Sequence, residues 1–384
     1  MLYTLVILIY EFGIRLASLW NPKAKAFING RNASFNNLQK GAIWMHCASL
    51  GEFEQGRPLL DYIKNKNPEQ QILVTFYSPS GYEHAQTKGI ADLVRYLPLD
   101  YPARMKKWIA ALEPKCLILV KYELWPNLLK ATQREKIPIH IIAGRFSAKQ
   151  KQLKWMKQLL QKITHFWVQD EASARYLKSL GIKQSTVVGD SRFDRVHNIA
   201  QKKIELPLIK AFKGKKKLLV MGSTWPSDIT LLEKNPTYKL IIAPHDLKYV
   251  RALQKQFKCL LYSQVNESNL RNVQILIIDN IGLLKNIYRY ADVAYIGGAF
   301  EHGLHNILEA AVYGCPIIFG PKYQNFPEAK ALIKLNGAIS VSNNKEFNQA
   351  LKTLLNNSPK KAIRSYCQGK TGASQEMWQG IFKN

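Results

Sequence analysis

Short apolar runs alternate with amphipathic stretches along most of the chain. In the first half the runs are residues 42–48, 72–77, 116–122, 137–142, 166–169 and 185–189. Most are closed by a turn and followed by helical periodicity, the pattern of repeated βα units. Strands that read as continuous apolar runs between helices belong to a parallel sheet covered on both faces. The series restarts at residues 217–222, 239–244, 273–279, 291–298 and 315–320. The pattern predicts an α/β chain with two doubly wound, Rossmann-like sheets. Residues 23–195 and 217–358 are the two expected domains, joined by a lysine-rich linker at 196–216. Residues 359–384 read as helices that pack back on the N-terminal domain.

Residues 1–22 follow a different rule. Leu5, Ile9, Phe12, Leu16 and Leu19 recur at helical spacing, with Thr4, Glu11, Arg15 and Ser18 on a polar line one position behind. That is an amphipathic helix. Its uninterrupted apolar run falls well short of the roughly 20 residues that span a bilayer. No basic segment precedes it and no small-residue cleavage site follows, so a signal peptide is not expected. A helix lying in a membrane interface fits, with Trp20, Lys23, Lys25 and Arg31 near the headgroups. Packing on its own domain is the alternative.

Charge sharpens that choice. The 384 residues hold 55 Lys+Arg against 27 Asp+Glu, a formal net charge of +28. Such a surface suits a polyanion, either nucleic acid or an anionic membrane. No helix-turn-helix, RNP or zinc-finger pattern is present, and the lysines are spread through the chain, so nucleic acid is not an expected partner. The five cysteines are scattered with no CxxC pair, which argues against a disulfide framework and for a reducing compartment.

The candidate chemistry sits at strand ends. GGAFEHGLHNILEAAVYGCPIIFGP (297–321) reads as a Gly-rich turn, a helix over 305–313 and a strand. Gly297 and Gly298 allow close backbone approach, and the helix start points free N–H groups at the same place. Asn306 and Glu309 share a helix face, and Glu309 is suited to accept hydrogen bonds from ribose hydroxyls. The helix start would hold a phosphate. An ordinary βα crossover is the alternative. Glu52, in the turn Ser49-Leu50-Gly51-Glu52 after the first strand, is the candidate general base, and a helix start there favours its ionised form. Glu123 occupies the equivalent strand end in KYELWP. His46 reads as a packed core residue, and Ser49 lacks a His/Asp partner pattern. No DxD, HExxH or other metal-spaced cluster occurs, so neither a metal nor another cofactor is expected.

Several segments together resemble the 3-deoxy-D-manno-octulosonic acid (Kdo) transferases of lipid A biosynthesis. They are NPKAKAF (21–27), WMHCASLGEFEQGRPLL (44–60), VTFYSPSGYEHA (74–85), YLPLDYPARMKKWIAALEP (96–114), KYELWPNLL (121–129), VVGDSRFD (187–194) and the 297–321 stretch. The ordered set spans nearly the whole chain. The resemblance implies a GT-B fold with a cleft between its domains. It also implies an inverting, metal-independent transfer of Kdo from CMP-Kdo to a lipid A precursor. The work would be done at the cytoplasmic face of the inner membrane, whose anionic surface the basic chain would meet. It assigns the base to Glu52 and a substrate-orienting role to Glu123. CMP-Kdo contacts fall on Pro244 and His245, on Ile281, Gly282 and Leu283, and on Asn306, Ile307, Leu308 and Glu309.

Three positions depart from the family pattern. Pro-Arg-His-Pro is here Pro244-His245-Asp246-Leu247, Met-Gly-Glu is Ile281-Gly282-Leu283, and Asn-Pro-Leu-Glu has Ile307 in place of proline. The first two changes remove side-chain contacts to CMP and leave backbone N–H groups. A UDP-sugar enzyme of the same fold and a basic nucleic-acid-binding module are the rival readings.

Overall fold

Alternation along the first strand builds two cores at once. In β1 (Ile43–Cys47) the side chains of Ile43, Met45 and Cys47 enter one apolar core and Trp44 enters the other. The computed structural model describes residues 2–32, 34–85, 87–150, 152–202, 204–233, 236–266, 268–270 and 273–383. These form two compact units, Met1–Asp194 with Gly372–Asn384, and Arg195–Thr371.

The first unit adds β2 (Ile72–Phe76), β3 (Leu93–Tyr96), β4 (Cys116–Val120), β5 (Ile139–Gly144), β6 (His165–Val168) and β7 (Ser185–Val187). All pair in parallel in the order β3-β2-β1-β4-β5-β6-β7. The chain order reverses between β1 and β4, which in open α/β sheets is where ligands bind. The helices of interest here are α1 (Leu2–Ala17), α2 (Pro22–Asn32), α3 (Leu50–Lys66), α4 (Pro79–His84), α5 (Pro102–Leu112) and α6 (Pro126–Arg134). A Cβ on Gly56 of α3 would lie 2.6 Å from Met45 Sδ, so glycine lets α3 sit tightly on β1 one turn beyond Glu52.

The second unit has β8 (Leu218–Thr224), β9 (Lys239–Pro244), β10 (Cys259–Leu261), β11 (Ile275–Ile277), β12 (Val293–Ile296), β13 (Ile317–Phe319) and β14 (Ala338–Ser340). It too is parallel, in the order β10-β11-β9-β8-β12-β13-β14, with its reversal between β8 and β12. The pattern along the chain did not disclose β3, β10 and β14. They are three or four residues long, too short to show a period.

Two stretches differ from expectation. Residues 196–216 are not a free linker. Helices Arg192–Gln201 and Pro207–Lys213 occupy most of them, and Ile209 and Phe212 are buried in the second unit. Leu206 N–H donates to Tyr290 Oη at 2.8 Å, and Lys213 pairs with Asp292 at 2.9 Å. In the second of these helices Lys210 is exposed while Ile209 and Phe212 point inward. The tail divides. Helix Lys360–Gln368 belongs to the second unit, whereas Ala373–Phe382 packs in the first, with Met377 in the core beneath α3 and Trp378 5.7 Å from Tyr62.

The first helix is pinned by its polar side. Tyr3 Oη donates to Asp100 Oδ2 at 2.9 Å, and Asp100 also accepts the N–H groups of Asn127 and Leu128 at the start of α6. Ile7 and Glu11 are buried, with Glu11 paired to Arg15 and Arg104. The apolar stripe faces outward, with Phe12 70% and Leu19 76% exposed. No helix among the described residues is long and apolar enough to cross a membrane.

Candidate active site

At the reversal point of the first sheet the chain leaves β1 and turns at Ala48 and Ser49 into α3. Glu52 lies in the first turn of α3, and its Oε2 accepts the Ala48 N–H at 2.5 Å. Burial pushes its carboxyl up from the ordinary range, and the charge of Glu123 adds to the rise. The Ala48 N–H, Lys121 and His46 oppose it. The helix start therefore does not govern this group as the sequence suggested. Loss of water and a neighbouring carboxylate outweigh it.

Glu123 follows β4, the strand beside β1, in a turn where Lys121 takes a left-handed conformation (φ 61°). Its Oε2 accepts the Trp125 indole N–H at 2.9 Å and lies 3.3 Å from His46 Nε2. His46 is fully buried, yet it is more than a core residue. Its Nδ1 is 2.9 Å from Thr75 Oγ1, so it joins β2 to the carboxylate pair. Two carboxyl groups with unlike surroundings, one raised by the other, are suited to moving a proton.

The reversal point of the second sheet carries different chemistry. Trp225 follows β8 and the Gly297–Gly298 turn follows β12. Gly298 has φ 91°, and its N–H donates to Asp228 at 3.1 Å. A side chain at Gly298 would also meet the His305 ring, with a Cβ 2.8 Å from it. The His245 ring stacks on Trp225 (4.7 Å) and on His305 (4.4 Å), and His302 lies 3.9 Å from Trp225. The indole N–H of Trp225 donates to His305 Nε2 at 3.0 Å. Burial and the neighbouring imidazoles push the His305 ring down to about 4, and burial lowers His245. These rings are neutral near pH 7.

The helix expected over 305–313 is a single turn, Leu308–Ala311. Leu304, Ile307 and Leu308 are drawn into the core, and the chain loops as far as residue 307 to place them there. The Leu308 N–H is taken by Asn306 Oδ1 at 3.2 Å, so the helix start offers less to a phosphate than expected. Ile307 and Leu308 are buried and can offer only backbone. Asn306 Nδ2 lies 3.4 Å from Glu309 Oε1. Burial raises the Glu309 carboxyl, against the pull of Arg195, Lys285 and Asn306.

Pro244 ends β9 and delivers His245 to the Trp225 group, so two of the three predicted nucleotide-contact stretches lie on this end of the sheet. Ile281, Gly282 and Leu283 sit in a turn with Ile281 exposed, and none of them touches the histidines among the contacts described. The turn leads into helix Leu284–Ile287, whose Lys285 acts on Glu309. Sequence reasoning missed Trp225, Asp228, Arg195 and Lys285. The placement of Trp225 and Asp228 directly after β8, matching Ser49 and Glu52 after β1, is the signal that would have found the first two.

Comparison with known proteins adds the following. A family model described as 3-Deoxy-D-manno-octulosonic-acid transferase (kdotransferase) matches residues 22–195. The 3-deoxy-D-manno-octulosonic acid transferase of Aquifex aeolicus is 30% identical over 336 residues, 85% of this chain and 88% of that protein. The enzyme of the same description from Haemophilus influenzae is 27% identical over 370 residues, covering 89% and 86%. A bifunctional glycosyltransferase/methyltransferase of Fusobacterium nucleatum is 31% identical over 366 residues. That match takes in 87% of this chain, which spans only 56% of that longer protein. Among solved structures, UDP-GlcNAc 2-epimerase from Neisseria meningitidis has a TM-score of 0.60 at 12% identity, covering 89% of this chain and 100% of that one. MurG of Acinetobacter baumannii has a TM-score of 0.56 at 13% identity, covering 90% and 100%. At such identities these two speak for the fold alone, the GT-B class of paired Rossmann-like units.

Proposed function

Because the chain belongs to the 3-deoxy-D-manno-octulosonic-acid transferase family, we propose that it moves Kdo from CMP-Kdo to a lipid A precursor, with Glu52 as the general base. The observation that carries this reading is the carboxylate pair at the reversal point of the first sheet. Attack by a sugar hydroxyl on the anomeric carbon forms a C–O bond as the bond to the CMP phosphate breaks. The bond electrons leave on the phosphate, and the hydroxyl proton must go to a base. Glu52, made more basic by burial and by Glu123, accepts it. Glu123 orients the substrate.

The donor is held by the second unit. Pro244, His245 and the backbone at Ile281, Gly282 and Leu283 take part, and Asn306, Ile307, Leu308 and Glu309 form the remaining wall. Glu309, balanced by Arg195 and Lys285, accepts the ribose hydroxyls. His245 stands where the family pattern has arginine, and with His302 and His305 it donates hydrogen bonds to the donor's phosphate and sugar carboxylate. The transfer we propose runs without a metal.

The acceptor is a lipid, and the first unit suits a membrane surface. The apolar stripe of α1 is exposed. Beside it a groove of about 950 Å³ is lined by Leu5, Leu8 and Ile109 together with Lys106, Lys130 and Arg134. Apolar walls with cations among them fit acyl chains attached to phosphorylated sugars. The protein then works at the cytoplasmic face of the inner membrane.

The test is an assay of the purified protein with CMP-Kdo and a tetra-acylated lipid A precursor, counting sugars in the product. Transfer that needs Glu52 is expected. Failure to transfer, together with tighter binding of UMP or UDP than of CMP by calorimetry, overturns the reading. Co-sedimentation with anionic vesicles tests the surface. Deleting residues 1–20 is expected to abolish it, and unchanged binding assigns α1 a structural role only.

A further inference from the structure

A buried histidine beside a carboxylate raises the question of which ring nitrogen holds its proton, and the neighbours of His46 answer it. The Trp44 indole N–H lies 2.8 Å from Thr75 Oγ1 and can only donate. Thr75 Oγ1 thus accepts from Trp44, and its own proton is free to point at His46 Nδ1, 2.9 Å away. Nδ1 is then an acceptor, and the ring proton is on Nε2, which lies 3.3 Å from Glu123 Oε2. In the other tautomer Nδ1–H would point to Thr75 O at 3.1 Å. The bare lone pair of Nε2, an atom that solvent does not reach, would then face a carboxylate oxygen. That oxygen already serves as acceptor to the Trp125 N–H. Two facing acceptors repel, so this arrangement loses.

We propose that His46 is a positioning residue for Glu123: hydrogen bonds running one way from Trp44 through Thr75 fix the ring, and its Nε2–H, 3.3 Å from Glu123 Oε2 and with no hydrogen-bond partner of its own among the described residues, holds that carboxylate beside Glu52 by electrostatic attraction. Each link sits on rigid structure. Trp44 and His46 lie on one face of β1, Thr75 is paired to His46 across the ladder in β2, and Glu123 follows β4. These links thus tie three adjacent strands to the orientation of one carboxylate. Their consequence for the reaction is electrostatic. Glu123 raises the Glu52 carboxyl only while it is held near it. The other titratable or charged groups facing the pair are Lys121 and Tyr122 on the β4 turn, Cys47 at the end of β1 and Tyr77 after β2.

This inference rests on Glu52 being the base, and its test separates the two. In full-length protein labelled with ¹⁵N-histidine, the buried, slowly exchanging ring is expected to show a protonated Nε2 and an unprotonated Nδ1. A proton on Nδ1 overturns the proposal, whatever the protein is found to catalyse. In kinetics, Gln places its amide N–H near the position of Nε2, whereas Asn places its own near Nδ1 and falls short of Glu123. His46→Asn is expected to lower kcat at least tenfold with KM for CMP-Kdo unchanged. It should also move the acid limb of the kcat/KM profile to lower pH, because Glu123 no longer raises Glu52. His46→Gln is expected to restore most of the rate and the position of the limb. A folded His46→Asn protein with wild-type kcat and limb overturns the proposal, as does His46→Gln being as impaired as Asn. Absence of Kdo transfer in the unmodified protein would sink the proposed function and leave the tautomer measurement standing.

Discussion

Glu52 and Asp228 occupy the same place in two copies of one local design. Each lies three residues after the cap of the helix that follows the strand at the sheet's reversal point, β1 in one unit and β8 in the other. Each turns back to accept a backbone N–H from its own turn, Ala48 for Glu52 and Trp225 for Asp228. Burial pushes both carboxyls up. Beyond that they part. Asp228 is fully buried and also takes the Tyr295 hydroxyl at 2.6 Å and the Gly298 N–H, so its oxygens are engaged by three donors. Glu52 is partly accessible, accepts only the Ala48 N–H among the described residues, and faces Glu123. The position is shared, but the surroundings make one carboxylate a brace for a loop and leave the other able to take a proton. A strand-end carboxylate gains proton affinity when donors are withheld from it and a like charge is added.

The largest expected effect is at Glu52. Glu52→Gln should cut turnover by about 10²–10⁴-fold, the usual range for general-base catalysis, with CMP affinity unchanged. The same change should not cost stability. Between the ordinary carboxylate range and its raised value, the folded protein holds a proton that the unfolded chain has released. Stability therefore falls as pH rises through that window, and the glutamine variant escapes the loss. Thermal melts should show its Tm at pH 7 equal to or above that of the parent, with the advantage gone below the ordinary carboxylate range. A clear drop in Tm at pH 7 would make Glu52 a brace like its counterpart.

Asp228→Ala should do the opposite. It strands two buried donors, the Tyr295 hydroxyl and the Gly298 N–H, and the partly buried Trp225 N–H, and a buried donor costs about 1–3 kcal/mol when left unpaired. Denaturant melts should register the loss, and donor affinity should fall because Gly298 is no longer held. Unaltered stability would break the contrast. Glu309→Ala comes next, with CMP binding weakened by about 1–3 kcal/mol in calorimetry and the rate at saturating donor little changed. Glu123→Gln should cost at least as much turnover as His46→Asn, about tenfold, because the histidine acts only through it. Glu123→Gln removes the like charge, so the Glu52 carboxyl falls and the acid limb of kcat/KM should move to lower pH. A limb that stays in place would mean that burial alone raises Glu52.

Much of this protein was legible in the linear pattern, because the signal of a buried parallel strand is local. A run such as CLILV at 116–120 can be read without knowing its neighbours, and the turn that follows marks the end of the sheet where ligands bind. Glu52, Glu123 and Glu309 were singled out in this way, by position relative to a strand. The exposed stripe of α1 was legible too, since a helical period is a property of the segment. The sense in which α1 meets its domain was not. Tyr3 finds Asp100 only once β3 and α6 have brought that residue to it, 97 positions away.

What tertiary structure alone decided is the state of each group. Sequence spacing shows Glu52 at a helix start, where the dipole favours charge. Only packing supplies the dehydration and the Glu123 carboxylate that override it. His46 read as a core histidine because its strand is buried. Its partners Thr75 and Glu123 lie on β2 and after β4, and nothing in the local sequence ties them to it. The region 196–216 failed for a related reason. Its lysines are visible in composition, but the burial of Ile209 and Phe212 depends on a surface made elsewhere in the chain. Periodicity is written in neighbouring residues. Proton affinity and hydrogen-bond direction are set by whatever the fold places within a few ångströms, and here that comes from three different strands.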